Sequence, residues 1–190
     1  MSPGWRARPG RASRRPARRG PGGADVVVPR YQAALDAGSD RAATDVAGDT
    51  WSPDRKYSPG SYGYRGASTV RSTGRAIAAT QDHKLFRNAR EGMYGYRLDN
   101  VPNGTYTVEL GFAELSSARP GQRVFDVLAE GALVLPSLDI SLEAGSHTAL
   151  TRTYPVKVTD GVLDVRFVTH SGYGKPLVNT LRVTDRPDLG

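Results

Sequence analysis

The sequence predicts an all-β fold, an antiparallel β-sandwich of jelly-roll type, from three observations. Segments that alternate apolar and polar residues recur about every eight to twelve residues, the spacing typical of short sandwich strands. No segment shows the 3.6-residue period of an amphipathic helix. The chain also contains 22 glycines and 13 prolines, residues that favour turns between such strands.

Residues 1–24 differ from the rest of the chain in composition. They hold seven of the 26 basic residues and no acid, so residues 25–190 contain 19 basic and 19 acidic residues. A segment of Arg, Pro, Gly and Ala has little to bury, and we expect a disordered basic tail at 1–24 and one domain at 25–190. Three explanations of this tail stay open. They are that it binds RNA, that it links this domain to another, and that the sequence begins upstream of the true start site. The domain itself has no charge excess that favours a nucleic-acid or membrane partner.

The sequence shows no cysteine, and no apolar run approaches the ~20 residues of a membrane span. No signal peptide is visible at the N-terminus.

The domain begins with a predicted short strand at 33–38 and a loop at 39–60 that is rich in Asp, Gly, Ser and Pro. Three of its carboxylates, Asp45, Asp49 and Asp54, fit Asx turns, with a calcium site as the alternative. We expect Trp51 in the core. The glycine-flanked Tyr62 and Tyr64 either close the end of the core or form an exposed platform.

The most regular stretch, residues 103–128, predicts two strands. Asn103 and Gly104 form a turn, residues 106–112 alternate as a half-buried strand, and 123–128 read as a second strand. We expect these strands to pair antiparallel through a seven-residue connection, 116–122, that contains Pro120 and Gly121.

Two charges lie on the inner face of these strands, on either side of the connection. The alternation places Glu114 and Arg123 there, and because a lone buried charge is costly we predict that they pair at the end of the sheet. Alternatively, the strands end one residue earlier and both charges are solvated.

The remaining segments complete the sandwich. Residues 82–90 predict a helical turn or an irregular edge strand, and further strands are predicted at 94–98, 132–135, 137–142, 151–158, 162–168 and 177–183. Asp160 and Gly161 predict a hairpin turn. The alternation assigns these side chains to the core: Tyr154, Val156, Val158, Leu163, Val165, Phe167, Leu177, Leu181 and Val183.

Catalytic signatures are missing from the sequence. It contains no G-x-S-x-G, H-E-x-x-H or phosphate-loop pattern, and its three histidines, His83, His147 and His170, are widely spaced. Glu109, Glu114 and Asp126 do not share a face that could form a glycosidase pair. We therefore predict a protein without catalytic residues, cofactor or metal.

Several motifs, in this order along residues 33–184, resemble a malectin-type domain. They are A-L-D-A-G-S (34–39), T-D-V-A-G-D-T-W (44–51), P-N-G-T-Y-T-V-E-L-G-F-A-E (102–114), G-Q-R-V-F-D-V (121–127), L-D-I (138–140), V-T-D-G-V-L-D-V-R-F (158–167) and K-P-L-V-N-T-L-R-V (175–183). The resemblance implies a jelly-roll sandwich that binds carbohydrate, a glucose disaccharide in animal malectin. In bacteria it implies a module appended to secreted hydrolases, and hence an extracellular location.

The family's sugar-binding residues are aromatic side chains on loops and an aspartate, and only some have counterparts here. Tyr62, or alternatively Tyr64, matches the first tyrosine, but Glu91 stands where a second one is expected. Ser116 and Ser117 replace an adjacent aromatic pair. Residues 173–176 keep the tyrosine and the proline of a Y-D-N-P segment but lack its aspartate.

We therefore expect a non-catalytic carbohydrate-binding module with weak affinity for a neutral, glucan-like saccharide. The predicted binding residues combine rings with charged groups, and they are Tyr62, Tyr64, Tyr94, Tyr173, Arg90, Glu91 and Lys175. The alternative is a structural or protein-interaction module of a larger extracellular protein. Rings exposed together favour sugar binding and buried rings favour the alternative. The module is expected to be a monomer or part of a multidomain chain.

Overall fold

The computed structural model describes residues 31–189, so the predicted tail at 1–24 lies outside the described residues. Within them the regular structure is almost entirely strand. The elements are β1 (Gln32–Asp36), β2 (Ala43–Thr44), β3 (Thr50–Pro53), β4 (Tyr62–Arg65), β5 (Thr69–Ser72), β6 (Asn88–Glu91), β7 (Gly95–Asp99), β8 (Gly104–Phe112), β9 (Phe125–Ala129), β10 (Ala132–Leu138), α1 (Ile140–Glu143), β11 (Leu150–Val158), β12 (Val162–Thr169), β13 (Leu177–Val178), β14 (Thr180–Asp185) and a terminal 3-10 turn (Pro187–Leu189).

The strands form three sheets. The first has the order β11-β8-β14-β1-β3-β2, the second β10-β9-β12-β7-β4, and the third β13-β6-β5. Their pairings are antiparallel apart from β1 and β3, where Leu35 lies opposite Ser52 in a parallel register. The all-β, antiparallel prediction is confirmed, and the jelly-roll connectivity stays a prediction.

The core lies between the first and second sheets. Phe112 of the first sheet and Phe125 of the second have ring centroids 6.1 Å apart, and Phe125 continues to Phe167 at 6.2 Å. The inner faces follow the alternation in the sequence, because Leu163, Val165 and Phe167 are all buried. A smaller cluster around Trp51 and Phe86 fills the edge of the first sheet, which confirms the core position of Trp51.

Two predicted hairpins are instead connections between sheets. β8 pairs with β11 and β14, whereas β9 pairs with β10 and β12, so the two strands of the most regular stretch do not pair. Likewise β11 and β12, on either side of Asp160 and Gly161, lie in different sheets. Alternation of apolar and polar residues shows which face of a strand is buried. In a sandwich the strands of both sheets alternate in the same way, so the pattern does not show whether two consecutive strands pair in one sheet or lie in different sheets.

The predicted strand at 137–142 is also wrong. β10 continues to Leu138, and the next residues form the short helix α1. Asp139 caps this helix, because its Oδ1 accepts a hydrogen bond from the Leu142 N–H at 3.0 Å. Leu138, Ile140 and Leu142 alternate as in a strand, but the capping bond stabilises a helical turn at this position instead.

A buried asparagine joins the first sheet to the third. Asn179 lies between β13 and β14, and its Oδ1 accepts a hydrogen bond from the Ala113 N–H at 2.6 Å. Its Nδ2 donates to the carbonyls of Phe86 at 3.1 Å and Asn88 at 2.7 Å. These three bonds hold β6 and the end of β8 in place, which positions the site loops described next.

Candidate functional site

The two charges predicted to pair lie in contact at one end of the sandwich. The Nε of Arg123 is 2.7 Å from Oε2 of Glu114, and the two side chains are 9% and 1% exposed. Because β8 and β9 belong to different sheets, this ion pair links the sheets rather than closing a hairpin. The Nη2 of Arg123 also lies 2.9 Å from Oε1 of Glu91, and its Nη1 donates to the Lys175 carbonyl.

Glu91 is buried and bound by two arginines. Burial alone would raise the pKa of its carboxyl, but hydrogen bonds from Arg71 and Arg123 hold that pKa below its ordinary value. The Nε of Arg71 lies 2.6 Å from Oε2 of Glu91. Glu91 is therefore ionised and engaged at neutral pH. We call Glu91, Glu114 and Arg123 the ion cluster.

Arg90, another residue of the sequence prediction, is also buried and engaged. Its Nε lies 2.7 Å from Oδ2 of Asp54, and its guanidinium carbon is 4.0 Å from the centroid of the Tyr64 ring. The hydroxyl of Tyr96 donates to the other oxygen of Asp54 at 3.1 Å. This arrangement uses both oxygens of Asp54 and covers one face of Tyr64.

Tyr62 and Tyr64 both face the core side of β4, at the edge of the second sheet. They lie opposite Leu98 and Tyr96 of β7 and are half-buried against the core. Arg55 covers Tyr62, with its guanidinium carbon 3.9 Å from the ring centroid. These two rings therefore do not form an open platform.

Tyr94, in contrast, is 47% exposed and lines a groove of about 390 Å³ on the outer face of the second sheet. Arg65 lies over its ring at 5.1 Å and donates from Nε to the Tyr94 hydroxyl at 3.1 Å. The backbone of Gly66, at a φ of +97°, passes under the ring, and a Cβ built there would lie 2.6 Å from Cδ1 of Tyr94. Only glycine allows this close approach.

The floor of this groove is formed by outer-face charges of the second sheet. Asp164 and Arg166 alternate with buried residues along β12, and Arg65 contacts Oδ1 of Asp164 at 3.3 Å. Glu130 accepts a hydrogen bond from the Asp164 N–H at 2.7 Å, and burial raises the pKa of its carboxyl. We call this the Tyr94 groove. The sequence analysis missed these charges, although the alternation in β12 marks them as outward.

Tyr173 is 44% exposed on the loop after β12. Its ring meets the edge of His170 at a centroid distance of 6.1 Å, and His170 Nε2 lies 2.9 Å from Oδ1 of Asp126 on β9. Since β12 separates β7 from β9, Tyr94 and the Asp126 position lie about 10 Å apart, two strand spacings. Lys175, also exposed, follows on the same loop.

The three aspartates considered for calcium are hydrogen-bonded within the protein. Asp45 accepts from the N–H groups of Ala47 and Asp49 at 3.0 and 2.8 Å, the geometry of an Asx turn. Arg182 contacts both Asp45 and Asp49, at 2.6 and 2.9 Å. In the part of the chain that the structure describes, no three His, Cys, Asp or Glu side chains come together as a metal site.

Comparison with known proteins identifies the family of the chain. The family model described as Malectin domain matches residues 31–189. The chain belongs to the malectin family. Mouse malectin is 34% identical over 97 residues, which are 50% of this chain and 33% of the mouse protein. Receptor-like protein 4 of Arabidopsis thaliana is 30% identical over 162 residues, 77% of this chain and 25% of that protein. The chain thus spans only a third or less of these two relatives.

Solved structures share the malectin fold. The β-glucuronidase of Bacteroides uniformis superposes with a TM-score of 0.75 at 29% identity, over 82% of this chain and 18% of the enzyme chain. The ANXUR2 extracellular domain from Arabidopsis thaliana superposes with a TM-score of 0.67 over 80% of this chain and 48% of that one. At 18% identity, the second likeness shows the fold alone. No helix among residues 31–189 is long and apolar enough to cross a membrane.

Proposed function

We propose that this malectin domain is a non-catalytic carbohydrate-binding module whose ligand lies across Tyr94 and Tyr173. The observation that carries the proposal is the exposed Tyr94 ring, which lines a groove beside oriented charges. Sugars present apolar C–H faces that stack on aromatic rings and hydroxyls that need polar partners. Arg65, Asp164 and Arg166 supply such partners within the same groove.

The extent of this surface suits a short oligosaccharide. Tyr94 and the His170 side chain that contacts Tyr173 lie about two strand spacings apart, and the exposed Val168 of β12 lies between them. Tyr62 and Tyr64 enter the proposal less directly, because both rings are half-buried against the core, whereas Tyr94 is 47% exposed. A guanidinium also lies closer to each of their ring centroids, at 3.9 and 4.0 Å, than Arg65 lies to the centroid of Tyr94 at 5.1 Å. We therefore assign stacking to Tyr94 and Tyr173, with Lys175 as a neighbouring donor.

The expected ligand is a neutral, glucan-like saccharide bound weakly. Two exposed rings without a deep cavity support a Kd on the order of 0.1–1 mM, or about −4 to −5.5 kcal/mol. Family membership supports a carbohydrate-binding or extracellular domain, and the match to part of a β-glucuronidase supports a module that accompanies a larger enzyme. We infer an extracellular location on the same grounds.

Affinity electrophoresis and calorimetry against a panel of neutral oligo- and polysaccharides test the proposal. Tyr94→Ala is expected to weaken binding about tenfold, or about 1.4 kcal/mol, without unfolding the domain. Tyr94→Phe keeps the ring and is expected to retain most of the affinity. Val46→Ala, which removes exposed apolar area in a loop of the first sheet, is the matched control. Absence of binding at millimolar ligand would reject the proposal.

A second candidate is a structural or protein-interaction module of a larger protein. The burial of Tyr62 and Tyr64 beneath arginines favours it, because those rings contribute to packing rather than to a free surface. Under this alternative no saccharide binds, and Tyr64→Ala lowers the melting temperature while Tyr94→Ala does not.

A further inference from the structure

A second groove, of about 320 Å³, lies between three loops at the end of the first sheet. Backbone hydrogen bonds join these loops. The Ala78 N–H donates to the His147 carbonyl at 2.8 Å, and the Ala149 N–H returns to the Ala78 carbonyl at 2.9 Å. The His147 N–H donates to the Glu114 carbonyl at 2.8 Å. The walls of the groove are therefore fixed before any ligand arrives.

The start of helix α1 fixes the loop after Glu114 from the other side. Ser141 Oγ donates to the Ala118 carbonyl at 2.8 Å. The buried Asp139 accepts from the Gly121 N–H at 2.5 Å in addition to its cap bond with Leu142. This loop carries Ser116, Ser117 and Arg119, so its polar side chains are presented from a rigid backbone.

The lining of this groove is rich in hydrogen-bond donors and carries positive charge. It includes Arg75, Arg119 and His147, and none of the described lining residues is acidic. Four serines also line it, and two of them already donate within the protein, Ser116 to Glu114 and Ser141 to Ala118. Among residues 31–189 neither the Arg75 nor the Arg119 guanidinium has a hydrogen bond or ion pair. Glu114, which precedes the loop, is buried and paired with Arg123, and Glu143 at the end of α1 is paired with Arg152. We call this the Arg75 groove.

The backbone at His147 is also fixed. His147 has a φ of +55°, in the left-handed region that non-glycine residues adopt uncommonly. Here the two backbone bonds described above hold the residue in that conformation, and its side chain lines the groove.

We propose that the Arg75 groove binds an anionic group carried by a saccharide, either a uronate carboxylate or a sulfate ester. Arginine forms paired, charge-assisted hydrogen bonds with such planar or tetrahedral oxyanions, and two unpaired guanidinium groups leave these bonds available. A volume of about 320 Å³ lies at the lower end of the range for small-molecule sites and suits a single sugar unit. That the anion belongs to a saccharide rests on the proposed function, whereas the charge pattern of the groove does not.

The groove differs in chemistry from the Tyr94 groove. The Tyr94 groove contains the carboxylates of Glu130 and Asp164 beside Arg65 and Arg166, so its lining carries no excess of positive charge. The Arg75 groove has no exposed aromatic ring in its described lining and therefore offers no stacking surface for a neutral sugar. An acidic saccharide is thus expected to depend on Arg75 and Arg119 and not on Tyr94.

Calorimetry with the full chain tests the proposal with three matched trisaccharides, a uronic-acid form, a sulfated form and a neutral form. At least one acidic form is expected to bind about tenfold tighter than the neutral form, with affinity that falls as salt is added. The double variant Arg75→Gln, Arg119→Gln is expected to remove that advantage. Because both side chains are exposed and unpaired, the variant should fold normally. Lys157→Gln, an exposed cation on β11, controls for net charge.

The outcomes separate this proposal from the proposed function. If Tyr94→Ala weakens neutral binding about tenfold while the acidic advantage persists, both proposals hold. If no neutral saccharide binds but an acidic one binds through Arg75 and Arg119, the Tyr94 proposal fails and this one stands. Equal binding by wild type and the double variant overturns it, and so does an equal loss in Lys157→Gln. A preference for the uronate or for the sulfate ester identifies which anion the site takes.

Discussion

Replacing Arg123 by methionine tests the ion cluster most directly, because the substitution keeps the aliphatic volume and removes only the charge and its donors. In the wild type, Arg123 contacts Glu114 at 2.7 Å and Glu91 at 2.9 Å. Glu91 retains Arg71 after the substitution. Glu114 retains only hydrogen bonds from the Ser116 N–H and hydroxyl, at 3.0 and 2.7 Å.

The expected loss follows from the burial of Glu114. A carboxylate that is 1% exposed and loses the one cation paired with it among residues 31–189 must remain charged without compensation or take up a proton. Removal of one partner of a buried ion pair costs about 3–5 kcal/mol, and we expect Arg123→Met to fall in this range. Arg152→Met is the matched control, because its pair with Glu143 is 36% and 33% exposed and is expected to contribute less than about 1 kcal/mol.

Urea unfolding followed by the fluorescence of the buried Trp51 measures both variants. A double-mutant cycle with Glu114→Gln is expected to be strongly non-additive, since the second substitution removes the carboxylate that the first left unpaired. A loss below about 1 kcal/mol for Arg123→Met would refute the reasoning. The pKa of Glu91 is lowered in the folded state, so its contribution is present above about pH 4.3 and is lost as the pH falls further. In Arg123→Met, Glu91 loses one of its two arginine partners, so the decrease in the free energy of unfolding on acidification should be smaller than in the wild type.

Three further predictions concern single positions. Asn179→Ala removes three hydrogen bonds to backbone groups, two of them buried, and is expected to lower the free energy of unfolding by roughly 3 kcal/mol, measured by urea unfolding. Burial raises the pKa of Asp36 to about 7, with a hydrogen bond from Ser39 opposing this effect. The folded state therefore holds the Asp36 proton more tightly than the unfolded state, and wild-type stability should decrease as the pH rises from about 4 to about 7. In Asp36→Asn, melting temperatures measured across this pH range should decrease less. Gly66→Ala should displace the Tyr94 ring and weaken saccharide binding about as much as Tyr94→Ala, which calorimetry can compare.

The strands and their buried faces could be predicted from the sequence because alternation is a local property. Residues 106–112 and 162–168 form strands with the predicted inner faces. The pairing partners could not be predicted, because the choice between a hairpin and a crossing depends on contacts distant in sequence. Val158 at the end of β11 pairs with Gly104, whereas Val162 at the start of β12 pairs with Asp99. Both contacts lie more than 50 positions away and leave no signal in the Asp160–Gly161 turn.

The sequence could predict which tyrosines belong to the candidate site, but not which of their rings are exposed to solvent. The sequence identified Tyr62, Tyr64 and Tyr94 as rings near glycines, and of these three the structure exposes Tyr94 while the other two are half-buried. Arg90 covers Tyr64 because Asp54 orients its guanidinium, and that pair spans 36 residues of sequence. Exposure of a ring is therefore decided by side chains that no local pattern connects to it.

The positions where the malectin resemblance implies sugar contacts converge on the ion cluster. Glu91 binds Arg123, Ser116 donates to Glu114, and a Cβ at Gly174 would lie 3.6 Å from Cβ of Arg123. A neutral sugar that formed hydrogen bonds with Arg123 in place of Glu114 would leave the Glu114 carboxylate without its ion pair, at a cost of about 3–5 kcal/mol. A weak saccharide complex supplies only about 4–5.5 kcal/mol in total, so little net affinity would remain. We therefore expect a ligand to contact exposed groups outside the cluster, in the Tyr94 groove for a neutral ring and in the Arg75 groove for an anion.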